Sequence, residues 1–306
     1  LHTTICLVRH GVTDWNYEGR AQGRADLPLN AEGLRQIELV AARLSAEPWD
    51  AIYSSPLSRA LHTAEAIGRA TGLSVTADAE LAERDITPIE GTTSRDRLQR
   101  WPDSGWRRLP GMESHAACGA RAKAAVLAIA GRHPGQRILC VSHGGWIYDL
   151  MDALDATHED VFLRNTMILR LACEGETLTV TDGPDFSHLL VDGVEYSGER
   201  HRLAHALAHL ASPDLPQGVV DGATAVESAW IDDRLVGFVR VFTDGVRFGY
   251  LDLTGWTPEH HAVVATLFSR LQARYPGVSF VRIDHAPFRL PSEGVDRAAR
   301  TAMAKP

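Results

Sequence analysis

Residues 3–11 read TTICLVRHG, and residues 137–145 read RILCVSHGG. Each is a short apolar run with β-branched residues that stops on a histidine followed by glycine, the pattern of a buried strand ending at a turn. Around these two runs the apolar spacing becomes helical. Asn30 can cap a helix over residues 33–45, with Leu34, Ile37, Val40, Ala41 and Leu44 on one face. A strand is predicted over 49–53. Ser55-Pro56 marks a second helix start, with an apolar face of Leu57, Ala60, Leu61, Ala64 and Ile67 and a stop at Gly72. Helices over 114–131 and 146–154 follow, then strands 166–172 and 177–181 as a hairpin turning at Glu174-Gly175. Strands alternating with helices predict an α/β fold, a mainly parallel sheet with helices on both faces. In such sheets functional groups gather at the carboxyl ends of strands, where both His10 and His143 fall.

Composition narrows the function classes. The chain has 306 residues, 44% hydrophobic and 23% charged, as in a globular protein. Lys and Arg number 31 against 39 Asp and Glu, so no global positive field exists to hold nucleic acid or an anionic membrane. No run approaches the roughly 20 apolar residues of a membrane span, and the start, LHTTICLVRHG, lacks the pattern of a signal peptide. The sequence therefore reads as cytoplasmic. Cys6, Cys118, Cys140 and Cys173 lie far apart with no CxxC pair, which favours neither a disulfide framework nor a zinc site.

After His188 the pattern changes. A His-rich helix over 199–210 leads into the connector SPDLPQG at 212–218, then strands 225–231, 235–243 and 246–254, a helix over 258–274 and a strand over 278–284. The expected organisation is residues 1–192 as one domain, 193–222 as helix and linker, and 223–306 as a smaller α+β domain. His201, His205 and His209 recur every four residues, but Arg202 stands where a metalloprotease base would be, and a solvated or domain-facing helix is the better reading.

Arg9-His10-Gly11 supplies an imidazole nucleophile beside a guanidinium able to bind phosphate oxygens, with a glycine that lets the backbone approach a ligand. The stretch LVRHGVTDWN, with Gln22-Gly23, Leu27-Pro28-Leu29-Asn30 and Gly33, resembles the histidine phosphatase superfamily, which contains the cofactor-dependent phosphoglycerate mutases. Tyr53 to Ala60 with Thr63-Ala64, Leu81-Ala82-Glu83 with Glu90-Gly91, Gly111 with Glu113-Ser114, and Val141 to Gly145 match four further motifs in order, over residues 4–190.

That resemblance implies His10 as the nucleophile that becomes phosphorylated, Arg9, Arg59 and His143 around the phosphoryl group, and Glu83 as proton donor to the leaving oxygen. It also implies that Asn16, Gln22, Gly23 and Gly144 contact phosphate or leaving group. Glu90 or Asp85 remains an alternative acid, because the segment after Glu83, RDITPIEG, departs from the family's aromatic-glycine and tryptophan pattern. The resemblance implies a metal-independent phosphatase of acid type with no cofactor. The short interval from Glu83 to His143 and the Glu90-Gly91-Thr92 continuation resemble the phosphatase branch more than the mutases. Phosphoglycerate mutase-type transfer and a bifunctional phosphatase/acetyltransferase stay as alternatives. The expected partner is a small phosphorylated metabolite, with neither nucleic acid nor membrane, and room for a homodimer through the C-terminal domain.

Two stretches stay open. Arg95, Arg97, Arg100, Trp101, Trp106, Arg107 and Arg108 could hold a second anionic group or a flat ring, or form a solvated basic face. Residues 229–241 and 249–251 loosely resemble the central strands of GNAT-type acetyltransferases, but the glycine-rich pyrophosphate loop of that fold is replaced by HAVVA at 261–265.

Overall fold

The computed structural model describes residues 2–103, 105, 109–156, 163–191, 194–197, 225–231, 234–243, 248–256, 266–267, 270 and 279–283. The chain divides into two units, Leu1–Trp15 with Arg20–Leu189, and Asn16–Gly19 with Leu190–Pro306.

The first unit runs β1 (Thr3–Arg9), α1 (Asp14–Glu18, whose residues from Asn16 on are grouped with the second unit), α2 (Ala31–Ser45), β2 (Ala51–Ser54), α3 (Ser58–Thr71), β3 (Val75–Ala77), α4 (Ser94–Arg100), α5 (His115–Arg132), β4 (Arg137–Ser142), α6 (Gly144–Ala153), β5 (Ile168–Glu174) and β6 (Thr177–Asp185). Its sheet has the order β3-β2-β4-β1-β5-β6. The first four strands are parallel, and β5 and β6 close one side antiparallel, making a mixed α/β sheet.

The apolar runs are continuous because both faces of the sheet are covered. Side chains alternate across a strand, so Ile5 and Leu7 of β1 and Ile138 and Cys140 of β4 enter one core with residues of α5 and α6. Cys6, Val8, Leu139 and Val141 enter the opposite core with residues of α2 and α3. The four cysteines are free and buried, and burial pushes the Cys6 thiol up to about 12, so it packs as a small hydrophobe.

Several boundaries differ from expectation for identifiable reasons. Helix α3 starts at Ser58 rather than Ser55-Pro56, because the Asp26 carboxylate, 32 residues away in sequence, accepts from both Ser58 N and Oγ at 2.8 Å. That leaves Ser55 outside the helix. Asn30 caps α2 as expected, accepting from Gly33 N at 2.9 Å, but Leu34 is 52% exposed and the buried stripe is carried by Gly33, Gln36, Ile37, Val40, Ala41 and Leu44. Strand β5 starts at Ile168 rather than 166, since Thr166 adopts φ +58°, where a strand cannot continue. Strand β6 runs four residues past the expected end, and α6 begins at Gly144, directly after His143.

The second unit contains β7 (Leu190–Val191), β8 (Val194–Ser197), β9 (Ala225–Ile231), β10 (Arg234–Thr243), β11 (Phe248–Trp256) and β12 (Ser279–Ile283), in the order β12-β11-β10-β9-β8-β7. All neighbours are antiparallel except β11 and β12, which need a crossover connection. Thr266, Leu267 and Arg270, between those two strands, are helical. Strand β8 occupies residues expected to be helix and linker. The expected helix over 199–210, with its three histidines, and the HAVVA stretch lie outside the described residues.

Candidate active site

Strands β1, β2 and β4 lie side by side and parallel, so their carboxyl ends deliver Arg9-His10, Ser55 and His143 to one rim of the sheet. His10 is buried, and its Nδ1 lies 2.7 Å from the Gly11 carbonyl oxygen. A carbonyl can only accept, so Nδ1 carries the proton. On the other side of the ring, Arg59 Nε donates to His10 Nε2 at 3.3 Å, and a guanidinium can only donate, so Nε2 presents a lone pair. Burial, then the charges of Arg59 and Arg9, hold the imidazole well below the usual histidine range. His10 is thus neutral, in one tautomer, with its lone pair on Nε2.

Arg59 is fully buried on α3 and clamped at three points: Nε on His10, Nη1 on the Ala25 carbonyl at 2.7 Å, and Nη2 on the Gly23 carbonyl at 2.8 Å. Burial pushes it down to about 10, which leaves it charged at neutral pH. Among the charges acting on Arg59, that of Glu83 is the largest. Arg9 donates through Nη1 to the Leu163 carbonyl. A Cβ on Gly144 would stand 3.1 Å from Arg9 Nε, so the glycine gives that guanidinium its room. His143 is fully buried, 5.1 Å from His10 between ring centroids, with Nε2 2.7 Å from Ser55 Oγ. Burial, followed by the charges of Arg59, His10 and Arg9, holds it well below the usual range.

Glu83 occupies the N-terminus of α6. Its Oε1 accepts from Trp146 N and Arg84 N, both at 2.8 Å, and its Oε2 from Gly145 N at 3.1 Å. A helix N-terminus is a ready anion site, and here a side chain of the same chain fills it. Ser142 Oγ donates to the Leu81 carbonyl and Trp146 Nε1 to the Glu80 carbonyl, which staples the 80–83 segment to β4 and α6. The two alternative carboxyls are engaged elsewhere. Glu90 Oε1 accepts from Arg24 N at 2.6 Å and Ala25 N at 3.1 Å, shaping the loop whose carbonyls hold Arg59. Asp85 accepts from Thr87 N and Oγ1, and the Thr87 hydroxyl bond holds its carboxyl below the usual range.

Gln22 Oε1 accepts from Thr13 Oγ1 at 3.0 Å, which orients its amide nitrogen away from that bond. Gly23 has φ +53°, and a Cβ there would collide with Glu90 Oε1 and Ile86, so this loop requires glycine. Asn16 is buried on α1, in the segment grouped with the second unit, whereas the site described above is built from the first unit alone. Arg97 donates to the Thr92 carbonyl and Ser94 Oγ, and Arg100 lies over Trp101; residues 106–108 lie outside the described set.

Sequence reasoning missed three residues that touch this centre. Ser55 reads from sequence only as part of the Tyr53 to Ala60 motif and a helix start, with no role at the site. Asn165 Nδ2 donates to the His10 carbonyl at 2.9 Å, and Thr166 N donates to the Arg9 carbonyl at 2.9 Å. Thr166 is β-branched at positive φ, a costly conformation that the surrounding bonds hold in place. Neither residue has a periodic signal, since each acts on a partner about 155 positions away.

The chain is similar to known proteins over this first unit. It is 33% identical over 190 residues to the uncharacterized phosphatase PhoE of Bacillus subtilis (strain 168), spanning 61% of this chain and 97% of that protein. Its fold matches Bacillus stearothermophilus YhfR with TM-score 0.57 at 32% identity, covering 61% of this chain and 98% of that one. It also matches phosphoserine phosphatase from Entamoeba histolytica, solved in complex with 3-phosphoglyceric acid, with TM-score 0.54 at 29% identity, covering 61% of this chain and all of that one. The family model of the histidine phosphatase superfamily, branch 1, matches residues 5–182, and by it the chain belongs to that superfamily.

Proposed function

We propose that the chain is a phosphomonoester phosphatase that acts on a small phosphorylated metabolite through a phosphohistidine at Nε2 of His10. One observation carries this reading: a neutral imidazole whose lone pair, on Nε2, accepts from a buried guanidinium nitrogen at 3.3 Å. Nε2 attacks phosphorus, the bond from phosphorus to the ester oxygen breaks, and Glu83 delivers a proton to the departing alkoxide. Water then attacks the phosphohistidine, the P–N bond breaks, inorganic phosphate leaves, and Glu83 recovers a proton. Arg9, Arg59 and His143 face charge on the equatorial oxygens, where phosphoryl transfer is catalysed mainly by positioning and electrostatics. The amide nitrogen of Gln22, the loop at Gly23 and the start of α6 at Gly144 border the same group.

The carboxylate of Glu83 has four lone-pair sites, three of them filled by backbone amides, so one remains to carry the transferred proton. Glu90 is less suited, since it holds the loop behind Arg59. Hydrolysis is favoured over mutase transfer by the short interval from Glu83 to His143. The C-terminal residues 223–306 are given no acetyl-transfer role, because HAVVA at 261–265 offers no glycine for close approach of a pyrophosphate. A screen of phosphorylated metabolites with the full chain, with chelator present and with His10→Ala beside it, tests the proposal. Turnover that survives chelator and disappears in the variant supports it; turnover that survives in the variant sinks it.

A further inference from the structure

We propose that the Ser55 hydroxyl fixes the tautomer of His143, keeping its proton on Nδ1 so that this imidazole donates to the phosphoryl group in transfer. The inference rests on the phosphatase reading above and adds a positioning residue to it.

Ser55 is itself rigidly placed. It is fully buried at the end of β2, its N–H donates to the Val141 carbonyl at 3.0 Å, and its carbonyl accepts from Ser54 Oγ at 2.8 Å. Its Oγ lies 2.7 Å from His143 Nε2 and accepts from Leu57 N at 3.3 Å. A hydroxyl has one hydrogen and two acceptor sites. With Leu57 N–H on one acceptor site, the hydroxyl hydrogen needs an acceptor, and His143 Nε2 provides it. The opposite assignment, with the proton on Nε2, would leave a buried hydroxyl hydrogen without an acceptor, an arrangement that folded proteins avoid.

Neutrality makes the tautomer matter. His143 is surrounded by Arg59, Arg9 and His10 in a buried site, so it holds one proton and not two. Its Nδ1 is buried and has no hydrogen-bond partner among the described residues. Phosphoryl oxygens only accept, so the imidazole helps transfer in the Nδ1–H form and hinders it in the Nε2–H form, where a lone pair would face negative oxygen. Ser55 therefore does for His143 what the Gly11 carbonyl does for His10, with the sign reversed: a donor on Nε2 in one case, an acceptor on Nδ1 in the other.

The test is a nitrogen-15 histidine spectrum of the full chain, with the His143 signals identified by their loss in His143→Gln. The wild type should show a protonated Nδ1 and an unprotonated Nε2. Ser55→Ala should shift the proton toward Nε2, and should lower kcat on an aryl phosphate about 10- to 100-fold while KM changes less than about threefold, the pattern of a lost transition-state interaction. A wild-type spectrum with the proton on Nε2 would overturn the proposal, as would an alanine variant with unchanged tautomer and kcat. Should that variant not fold, the wild-type spectrum decides alone. A wild type with no phosphohistidine would instead overturn the phosphatase reading, and the two failures are thereby told apart.

Discussion

His10 stands at the end of a buried central strand, held by groups from four separate segments, whereas Glu83 stands in a loop and is held by three backbone amides, two of them at the start of α6. The proposed nucleophile would have to keep one tautomer and one position, and its surroundings fix it from every side: Gly11 and Arg59 on the ring, Asn165 and Ser142 on its backbone. The proposed acid would have to exchange a proton, and it is fixed in place by amides that leave one lone pair open. A rigid nucleophile site and a fixed but unsaturated acid site are what a two-step phosphoryl transfer demands.

The comparison breaks most visibly at Arg59. Lysine keeps the charge but cannot reach His10, Gly23 and Ala25 together, because it lacks the planar fork. Arg59→Lys should lower kcat by roughly 10²- to 10³-fold. A loss below about threefold in steady-state assays would show that the clamp geometry is irrelevant and only the charge counts.

Glu83→Gln sharpens the acid side. Kinetics on an alkyl phosphate should fall about 100-fold, while an aryl phosphate, whose leaving oxygen needs no proton, should lose less than about fivefold. Equal losses on the two substrates would mean that Glu83 only positions α6, and would return the role of acid to another carboxyl.

A smaller effect separates the histidines from the carboxyls through pH. The folded-state values of His10 and His143 lie well below 6.5, and that of His188 is pushed down to about 4 by burial. Below about pH 6.5 the unfolded chain binds protons that the folded one refuses, so stability is complete above that pH and is lost as pH falls toward the folded values. Each histidine adds at most about 1.4 kcal/mol per pH unit to the slope. Chemical denaturation between pH 7 and pH 5 should show the loss, and His10→Ala should show a shallower one; parallel slopes would contradict the buried neutral state of His10.

The sequence made the nucleophile side more legible than its supports. Two apolar runs ending in His-Gly located β1 and β4, since burial on both faces leaves a continuous apolar stretch, and Arg59 and Glu83 were legible as members of ordered motifs. Asp26 capping α3, Ser55 on His143 and Asn165 on His10 were not, because hydrogen bonds between distant segments leave no periodicity in the chain. Thr166 reads as strand because a β-branched residue signals extended backbone, whereas tertiary bonds to Arg9, His10 and His188 hold it at φ +58°. The exposed Leu34 shows the opposite limit, an apolar residue at helical spacing that the core does not take.

The most direct test of the account is to quench the wild-type enzyme during turnover of a phosphorus-32-labelled monoester and map the modified residue by mass spectrometry in alkali, where phosphohistidine survives. The account predicts one phosphate per chain on Nε2 of His10, absent in His10→Ala. Label on Nδ1, on His143, or on no residue while turnover proceeds would contradict it.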